Sequence, residues 1–301
     1  PLRQGRRGEK ALNGKSENQS TCTPSNVRVL YFNANSIINK MQEFEVIVTE
    51  NNPDLVCICE AWTKEDIENS YLNINDYSLV SRTDRSDTKN GIGGGLLIYA
   101  KNELNVTELN YDYLKDFNQC SAVSLKTNTN TLNICLVYRP HNLYDSNDVK
   151  ENNHRLCEVL SKLPKPFLIV GDFNFSDIDW KNSTFTSKSA EFFECVQDNF
   201  LTQHVDFSTH RSGTTPDLVL SSNEELVTSV EDCGNIGASD HAMIMTCLDL
   251  AVDRKRQNKE TLNWKKANYD LIESKIINID WKNEFLTQDA NSSWKFFTDT
   301  I

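Results

Sequence analysis

The sequence contains no run of about 18 consecutive apolar residues, the length that a membrane-spanning helix requires. Its first residues, Pro1 to Arg3, lack the apolar core of a signal peptide. No Cys-x-x-Cys pair occurs among its nine cysteines, and Cys57 and Cys59 lie inside an apolar run that is typical of buried thiols. We therefore expect an intracellular protein with reduced thiols and no membrane partner. Because the chain begins with proline, we also expect it to be a piece of a longer protein.

Positive charge is scarce in this sequence. The chain has 31 Lys and Arg against 43 Asp and Glu, a net charge of −12. Residues 1–26 carry a net +3 and residues 251–301 a net +1, so residues 27–250 carry −16. This balance argues against a protein that holds nucleic acid by bulk positive charge, and any such partner must be held by local features or by the two ends.

Three regions of the chain differ in pattern. Residues 1–26 have few large apolar side chains and no periodicity, which predicts a flexible, mildly basic arm. Residues 27–250 contain many strand-like runs, such as Leu132–Tyr138, and a few segments with helical spacing. This pattern predicts two packed β-sheets with helices outside them. Residues 251–301 begin with a charged connector and become rich in tryptophan, which predicts a partly helical appendage.

Polar residues follow several of the predicted strands, where a sheet presents functional groups. Glu60 comes directly after an apolar run, where an ionised group needs a counter-charge or a metal ion. Asp172 and Asn174 would lie on one side of a strand end, where a carboxylate beside an amide can orient and deprotonate a water molecule. Taken singly, Glu60 is more typical of a strand-end glutamate that points into water, and Asp172 with Asn174 is equally typical of an ordinary turn. The other members of this set are Asn33 and Asn35 after the first strand, and Ser239, Asp240 and His241 before the last.

Further motifs lie at the same ends of the predicted strands. Tyr138 and Arg139 close one strand and would offer a phenol and a guanidinium group at the rim, while Asp217 opens another strand, where it could support a histidine. A glycine-rich stretch at residues 93–95 precedes a further strand. No Lys-Ser/Thr pair follows these glycines, which argues against a nucleotide-binding loop. They instead predict a close approach of two backbones at a sheet edge.

The order and spacing of these motifs resemble the endonuclease/exonuclease/phosphatase superfamily. Within it, the sequence is most similar to the apurinic-endonuclease-like domain of non-LTR (LINE-type) retrotransposons, most closely at Tyr138-Arg139-Pro140 and at Gly93-Gly94-Gly95. The resemblance covers residues 27–250, and the tail resembles the connector that precedes reverse transcriptase in those elements. It implies a DNase I-like α+β fold, a four-layer sandwich in which helices flank two packed mixed β-sheets.

The resemblance also implies a metal site and a general base. Glu60, with help from Asn35 and Asp240, would hold a hydrated Mg²⁺, with Mn²⁺ as an alternative, because oxygen ligands suit such hard cations. Asp172 would position and deprotonate the attacking water. A bound cation reverses the local sign of charge, so the acidic character of residues 27–250 is compatible with a polyanionic substrate.

The remaining implied roles concern the scissile phosphate and the support of the site. His241, oriented by Asp217, would stabilise charge on the phosphate, and Tyr138 and Asn174 would hold its oxygens. The supporting and substrate-binding residues would be Asn33 beside Asp172, Ser239 in the Asp240-His241 turn, Thr209 against the DNA backbone, and Arg139 at the rim.

The function that these roles imply is a Mg²⁺-dependent DNA endonuclease. It would act as a monomer that nicks one strand and leaves a 3′ hydroxyl to prime reverse transcription, in the nucleus where the target is genomic DNA. Two alternatives stay open at this point. The same residues serve phosphatases and phosphodiesterases that act on small or lipid phosphates, and fold alone does not separate these activities. The third reading is a non-catalytic remnant that binds partners through its tryptophan-rich tail.

Overall fold

The structure is a computed structural model that describes residues 26–84, 94–117, 119–140, 146–255, 267–286 and 289–300. It divides into two compact units between Arg256 and Gln257. In these ranges no helix combines the length and the apolar character that crossing a membrane would require. The predicted basic arm lies outside the described residues except for Asn26, and so does Gly93.

Two six-stranded sheets form the first unit. Sheet 1 has the order β11-β12-β1-β2-β4-β3 and sheet 2 has the order β5-β6-β7-β8-β10-β9. Both sheets are mixed, because β1–β2 and β7–β8 are parallel and the other pairs are antiparallel. The strands are β1 (Val27–Asn33), β2 (Leu55–Cys59), β3 (Tyr77–Thr83), β4 (Leu96–Lys101), β5 (Val106–Glu108), β6 (Cys120–Lys126), β7 (Thr131–Tyr138), β8 (Phe167–Asp172), β9 (Thr202–Gln203), β10 (Asp217–Ser221), β11 (Val227–Asp232) and β12 (Ile244–Leu248).

Helices cover the outer faces of the sheets. Helix α1 (Met41–Asn51) buries Phe44, Ile47 and Val48, spaced as one helical face, against sheet 1. Sheet 2 packs in the same way against helices α2 (Asp112–Asp116), α3 (Ser146–Lys162) and α4 (Ala190–Asp198). A third apolar core fills the space between the sheets. The predicted four-layer sandwich is therefore confirmed. The second unit contains α5 (Tyr269–Ile277), α6 (Trp281–Leu286) and α7 (Ala290–Thr300).

The core between the sheets ends in polar side chains. In β1, Val27, Val29 and Tyr31 point into this core, and strand alternation gives Asn33 the same direction. In β8, Leu168 and Val170 do so, which gives Asp172 the same direction. Asn33 and Asp172 therefore lie at one end of the core between the sheets, and this end is the mouth of the inter-sheet core.

The sandwich continues past its predicted end at residue 250. Arg254 pairs with Asp54 Oδ1 at 2.7 Å and with Glu103 Oε1 at 2.6 Å. Asp54 is 2% exposed, so its charge requires such partners, and Lys101 provides another at 3.3 Å. The first residues of the charged connector therefore belong to the first unit.

The cysteines depart in one respect from the expectation of reduced thiols. Cys57 and Cys59 are fully buried and free, as predicted. Five further cysteines are free as well, namely Cys120, Cys135, Cys157, Cys195 and Cys233. Cys247 of β12 is instead disulfide-bonded, which corrects the expectation for that position.

Candidate active site

Three of the predicted site residues are paired with one another across neighbouring strands of sheet 2. Tyr138 at the end of β7 pairs with Asp172 at the end of β8, and Asp172 pairs in turn with Asp217 at the start of β10. Residues paired across neighbouring strands project to the same face of a sheet. The three side chains therefore emerge together at the mouth of the inter-sheet core.

Strand β1 of sheet 1 is joined to these paired residues by two hydrogen bonds. The Tyr31 hydroxyl donates to Asp217 Oδ1 at 2.6 Å, and Asn33 Nδ2 donates to Asp172 Oδ2 at 3.1 Å. All four side chains are buried. The site is consequently assembled from both sheets.

Asp217 is an acceptor for three donors. Besides the Tyr31 hydroxyl, its carboxylate accepts from Thr209 Oγ1 at 2.7 Å and from His241 Nδ1 at 2.8 Å, and the residue is fully buried. A buried carboxylate with several donors is held in one orientation. Asp217 thereby fixes the ring of His241 and the nitrogen that faces it.

The pKa of His241 is raised to about 9. Burial by itself lowers it, but the hydrogen bond and the charge of Asp217 outweigh burial, and the charges of Asp172 and Asp240 add to the increase. At neutral pH this imidazole is therefore positively charged. Its side chain is 12% exposed, so it is open to a ligand at the rim.

The environment disfavours the charged form of Asp172, whereas it favours the charged form of His241. It is 1% exposed, and its Oδ1 has no hydrogen-bond partner. Burial raises its pKa well above the ordinary value, and the like charges of Asp217 and Glu60 raise it further against the opposing effects of His241 and Asn33. An unpartnered, desolvated carboxyl oxygen is a strong acceptor for a proton or a cation.

Glu60 lies on a loop that is shaped by two glycines. Its backbone φ is 48°, in the left-handed region that is rare for residues other than glycine. The loop is held by backbone hydrogen bonds from Ala61 N to Gly95 O and from Trp62 N to Gly94 O, both 3.0 Å long. A Cβ on Gly95, where φ is +91°, would lie 3.2 Å from Trp62 N. The close backbone approach predicted for this glycine stretch is therefore confirmed at Gly95.

The carboxylate of Glu60 lies beside Tyr138. It accepts from Trp62 Nε1 at 3.2 Å, and its charge acts on the Tyr138 phenol. Burial raises the pKa of Tyr138 strongly, and the charge of Glu60 raises it further, so the phenol keeps its proton and remains a donor. Because the charge of Asp172 acts on Tyr138 and that of Glu60 acts on Asp172, the three groups form one neighbourhood.

The residues of the site fit a divalent cation. Buried carboxylates repel one another around an unpartnered oxygen of Asp172, an arrangement that a bound cation would stabilise. Of the three predicted ligands, Glu60 joins this neighbourhood directly. Asn35 is exposed, with a φ of 44°, and its backbone N–H donates to Asn33 Oδ1 at 3.1 Å. The Asp240 carboxylate is 45% exposed and contacts His210. Oxygen donors of this kind suit Mg²⁺ or Mn²⁺.

Asn174 and Arg139 lock the loop after β8. Asn174, with a φ of 54°, donates from Nδ2 to Arg139 O at 2.8 Å. The prediction that Arg139 offers its guanidinium at the rim is wrong. That group is buried, donates to Asn153 Oδ1 at 3.0 Å and lies 4.1 Å from the centre of the Phe175 ring. A guanidinium group stacked on an aromatic ring and bonded in the interior supports the fold rather than a substrate.

Thr209 and Ser239 also support the site from inside. The prediction of a DNA contact for Thr209 is wrong, because this residue is 1% exposed and its hydroxyl donates to Asp217. Ser239 Oγ donates to Asn33 O at 2.9 Å and accepts from His241 N at 3.3 Å. It thus ties the turn that carries His241 to the end of β1.

The structure adds a histidine that the sequence analysis did not select. His210 Nε2 lies 3.0 Å from Asp240 Oδ2, and the ring centres of His210 and His241 are 4.9 Å apart in an edge-to-face contact. His210 lies in a loop with no apolar periodicity, so nothing in the sequence pattern marked it. Only the β-bridge between residues 210 and 241 brings the two histidines together.

Comparison with known proteins agrees with this architecture. Two packed mixed sheets flanked by helices are the DNase I-like fold. A family model described as "Endonuclease-reverse transcriptase" matches residues 132–245. This match covers somewhat over a third of the chain, and it agrees with the fold that the chain shares with solved endonuclease structures. No curated protein matches the chain.

Several solved structures share the fold. The endonuclease domain of TRAS1, a telomere-specific non-LTR retrotransposon, is 13% identical, with a TM-score of 0.57 over 74% of this chain and 98% of that domain. An AP endonuclease from Archaeoglobus fulgidus is 16% identical, with a TM-score of 0.57 over 74% and 99%. The 3′ phosphatase NExo from Neisseria, bound to a product DNA hairpin, is 16% identical, with a TM-score of 0.55 over 74% and 99%. At these identities the likeness establishes the fold.

Proposed function

We propose that this protein is a Mg²⁺-dependent DNA endonuclease that hydrolyses one strand and leaves a 3′ hydroxyl. The observation that carries the proposal is the meeting of the Asp217–His241 pair, the unpartnered carboxyl oxygen of Asp172 and the Glu60–Tyr138 contact at one mouth of the sandwich. Similar proteins that are named as endonucleases, and one that is bound to a product DNA hairpin, support DNA as the substrate.

The side chains divide the chemistry between them. Asp172, held by Asn33, accepts a proton from the water molecule that attacks phosphorus. The P–O3′ bond breaks, and the 3′ oxygen takes up a proton from solvent water and leaves as a hydroxyl. His241, charged at neutral pH, and Tyr138, which keeps its proton, donate to the phosphate oxygens as negative charge develops. Mg²⁺ held by Glu60 with Asn35 and Asp240 would supply Lewis-acid stabilisation of that charge.

The use of the 3′ hydroxyl is the finer part of the proposal. The match to an endonuclease–reverse transcriptase family and the likeness to a retrotransposon endonuclease support a role in target-primed reverse transcription. That role would require the protein to act in the nucleus on genomic DNA.

A plasmid nicking assay tests the proposal. The full chain should convert supercoiled plasmid to the relaxed form with Mg²⁺ and should stop doing so with EDTA or in Asp172→Ala. Asp116→Ala is a matched control, since it removes an exposed carboxylate from α2 and should leave nicking intact. Mapping of the ends should find a 3′ hydroxyl and a 5′ phosphate. Equal nicking by Asp172→Ala would show that the activity comes from a contaminant.

The same preparations separate the alternative activities. A 3′-phosphorylated oligonucleotide and inositol phosphates should release phosphate far more slowly than plasmid is nicked. Faster release from either substrate would favour a phosphatase or phosphodiesterase, as in the NExo 3′ phosphatase. A chain that is inactive on every substrate would be the non-catalytic remnant.

A further inference from the structure

Two histidines and an aspartate meet at the rim of the site. His210 Nε2 lies 3.0 Å from Asp240 Oδ2, and the His210 ring contacts the His241 ring edge to face. One ligand atom from each of the three residues lies within 4.8 Å of the others. Glu60 joins neither of the two such clusters found in the described part of the chain.

Backbone pairing fixes the positions of the three residues. Ala242 N donates to Thr209 O at 2.8 Å, and Arg211 N donates to Asp240 O at 2.9 Å. These bonds align the loop that carries His210 with the turn that carries Asp240 and His241. The three side chains therefore extend from hydrogen-bonded backbone segments, and they meet without closure of a loop.

Each histidine has its Nδ1 bonded to a neighbour. Asp217 accepts from Nδ1 of His241, whereas Nδ1 of His210 accepts from Ser212 N at 3.1 Å and lies 2.6 Å from Ser212 Oγ. His241 is thus oriented as metal-binding histidines are, with one ring N–H donated to a carboxylate, and in both rings a partner on Nδ1 leaves Nε2 to face an ion. The arrangement therefore directs Nε2 of both rings to a ligand shared with the Asp240 carboxylate.

A second observation also indicates a cation at this place. Asp172 forms another cluster with Asp217 and His241, with ligand atoms again within 4.8 Å, and its buried Oδ1 has no partner. One carboxylate oxygen of this buried residue lies within 4.8 Å of a ring nitrogen of His241. The local field therefore attracts positive charge to the rim.

We propose that His210, Asp240 and His241 form a binding site for a transition-metal ion of the Zn²⁺ type, which shares Asp240 with the proposed Mg²⁺ site. Two imidazoles and one carboxylate match the ligand preference of Zn²⁺, whereas Mg²⁺ prefers oxygen ligands alone. If the proposed function holds, Zn²⁺ at this site would occupy His241 and compete for Asp240. It would then inhibit Mg²⁺-dependent nicking.

Histidine NMR of the full chain tests the site directly. The chain has five histidines, so selectively labelled ring signals can be followed singly and assigned with His210→Gln and with the control His154→Gln, which replaces an exposed histidine of α3. In Mg²⁺-containing buffer, ZnCl₂ should shift the His210 and His241 signals together and saturate at one equivalent for these two rings. In His210→Gln the Zn²⁺ affinity reported by His241 should fall by more than about 10-fold, and in His154→Gln it should not change.

Asp240→Asn provides a second variant with the same expected loss, in case His210→Gln does not fold. Unmoved His210 and His241 signals at saturating Zn²⁺ would overturn the proposal, and so would an unchanged affinity in folded His210→Gln or Asp240→Asn. Nicking is measured separately: the Zn²⁺ concentration for half-inhibition should rise in His210→Gln by the factor seen in the NMR titration. A chain that never nicks DNA would refute the proposed function, while the NMR result for the metal site would stand.

Discussion

Replacing Asp217 by asparagine tests the electrostatic core of the site. The substitution keeps the shape of the side chain but removes the charge that holds the proton on His241. An amide also cannot accept from all three donors, so its nitrogen must face either Tyr31 or the pair formed by Thr209 and His241. The pKa of His241 should fall from about 9 toward its ordinary value of 6.5.

The size of the effect follows from that change. The difference between a pKa of about 9 and one of 6.5 corresponds to about 3 kcal/mol, at 1.36 kcal/mol per pKa unit. At pH 8 the wild-type imidazole is mostly charged and that of the variant mostly neutral, so one charged donor to the phosphate is lost. Loss of such a donor lowers a rate by about 10²–10³-fold. At pH 6 both imidazoles are largely charged, and the difference should be much smaller.

The assay is single-turnover nicking of supercoiled plasmid between pH 6 and 9 at saturating Mg²⁺. Thr209→Val is the matched control, because it removes one donor to the same carboxylate oxygen and keeps the charge. It should cost no more than about 10-fold at any pH, in proportion to one hydrogen bond. A variant-to-wild-type ratio for Asp217→Asn that stays constant across this pH range would refute the reasoning.

Three further predictions concern the supports of the site. Asp172→Asn should abolish nicking yet stabilise the metal-free fold by about 1–2 kcal/mol in urea unfolding, because it removes a buried charge whose Oδ1 has no partner; a less stable variant would contradict this. Gly171→Ala should destabilise the chain by about 3 kcal/mol in the same measurement, since its Cβ would lie 2.0 Å from Val137 O, and a near-neutral effect would mean that β7 can move. Arg139→Met should cost about 2 kcal/mol of stability through the lost contact with Phe175 but leave the salt dependence of plasmid binding unchanged, whereas a smaller salt slope would show that the guanidinium reaches DNA.

The His241 proton also links stability to pH. The folded chain binds this proton more tightly than the unfolded chain, whose histidine titrates near 6.5. The resulting stabilisation is full below pH 6.5 and is lost as the pH rises through about 9. In the metal-free protein, the free energy of unfolding of Asp217→Asn should therefore depend less on pH across this window than that of the wild type.

The central strands were predictable from sequence, and the edge strands were not. β2 and β8 are buried along their whole length, so each is an unbroken apolar run. Strands β3 and β11 lie at the edges of their sheets and are mostly half-exposed, so their polar residues hide the strand pattern. Tertiary pairing rather than local sequence determines such strands.

The site divides along a similar line. Asp172 directly follows an apolar run, and this position marked it as functional. Tyr31 lies inside β1 and has the pattern of a core residue, yet its hydroxyl bonds Asp217, which is 186 positions away. The prediction for Arg139 was wrong, because its position at a strand end does not reveal that its side chain turns inward onto Phe175. Sequence order gave the candidates, but which of them face the mouth depends on how the sheets pack.

The two hydrogen bonds that join β1 to the opposite sheet have a consequence for folding. Tyr31 and Asn33 belong to one sheet, while the carboxylates that they bind belong to the other. Either sheet alone would contain only some of the site residues, even with all its strands formed. Any activity of this site therefore requires the two sheets to dock in register, so that β1 meets β8 and β10.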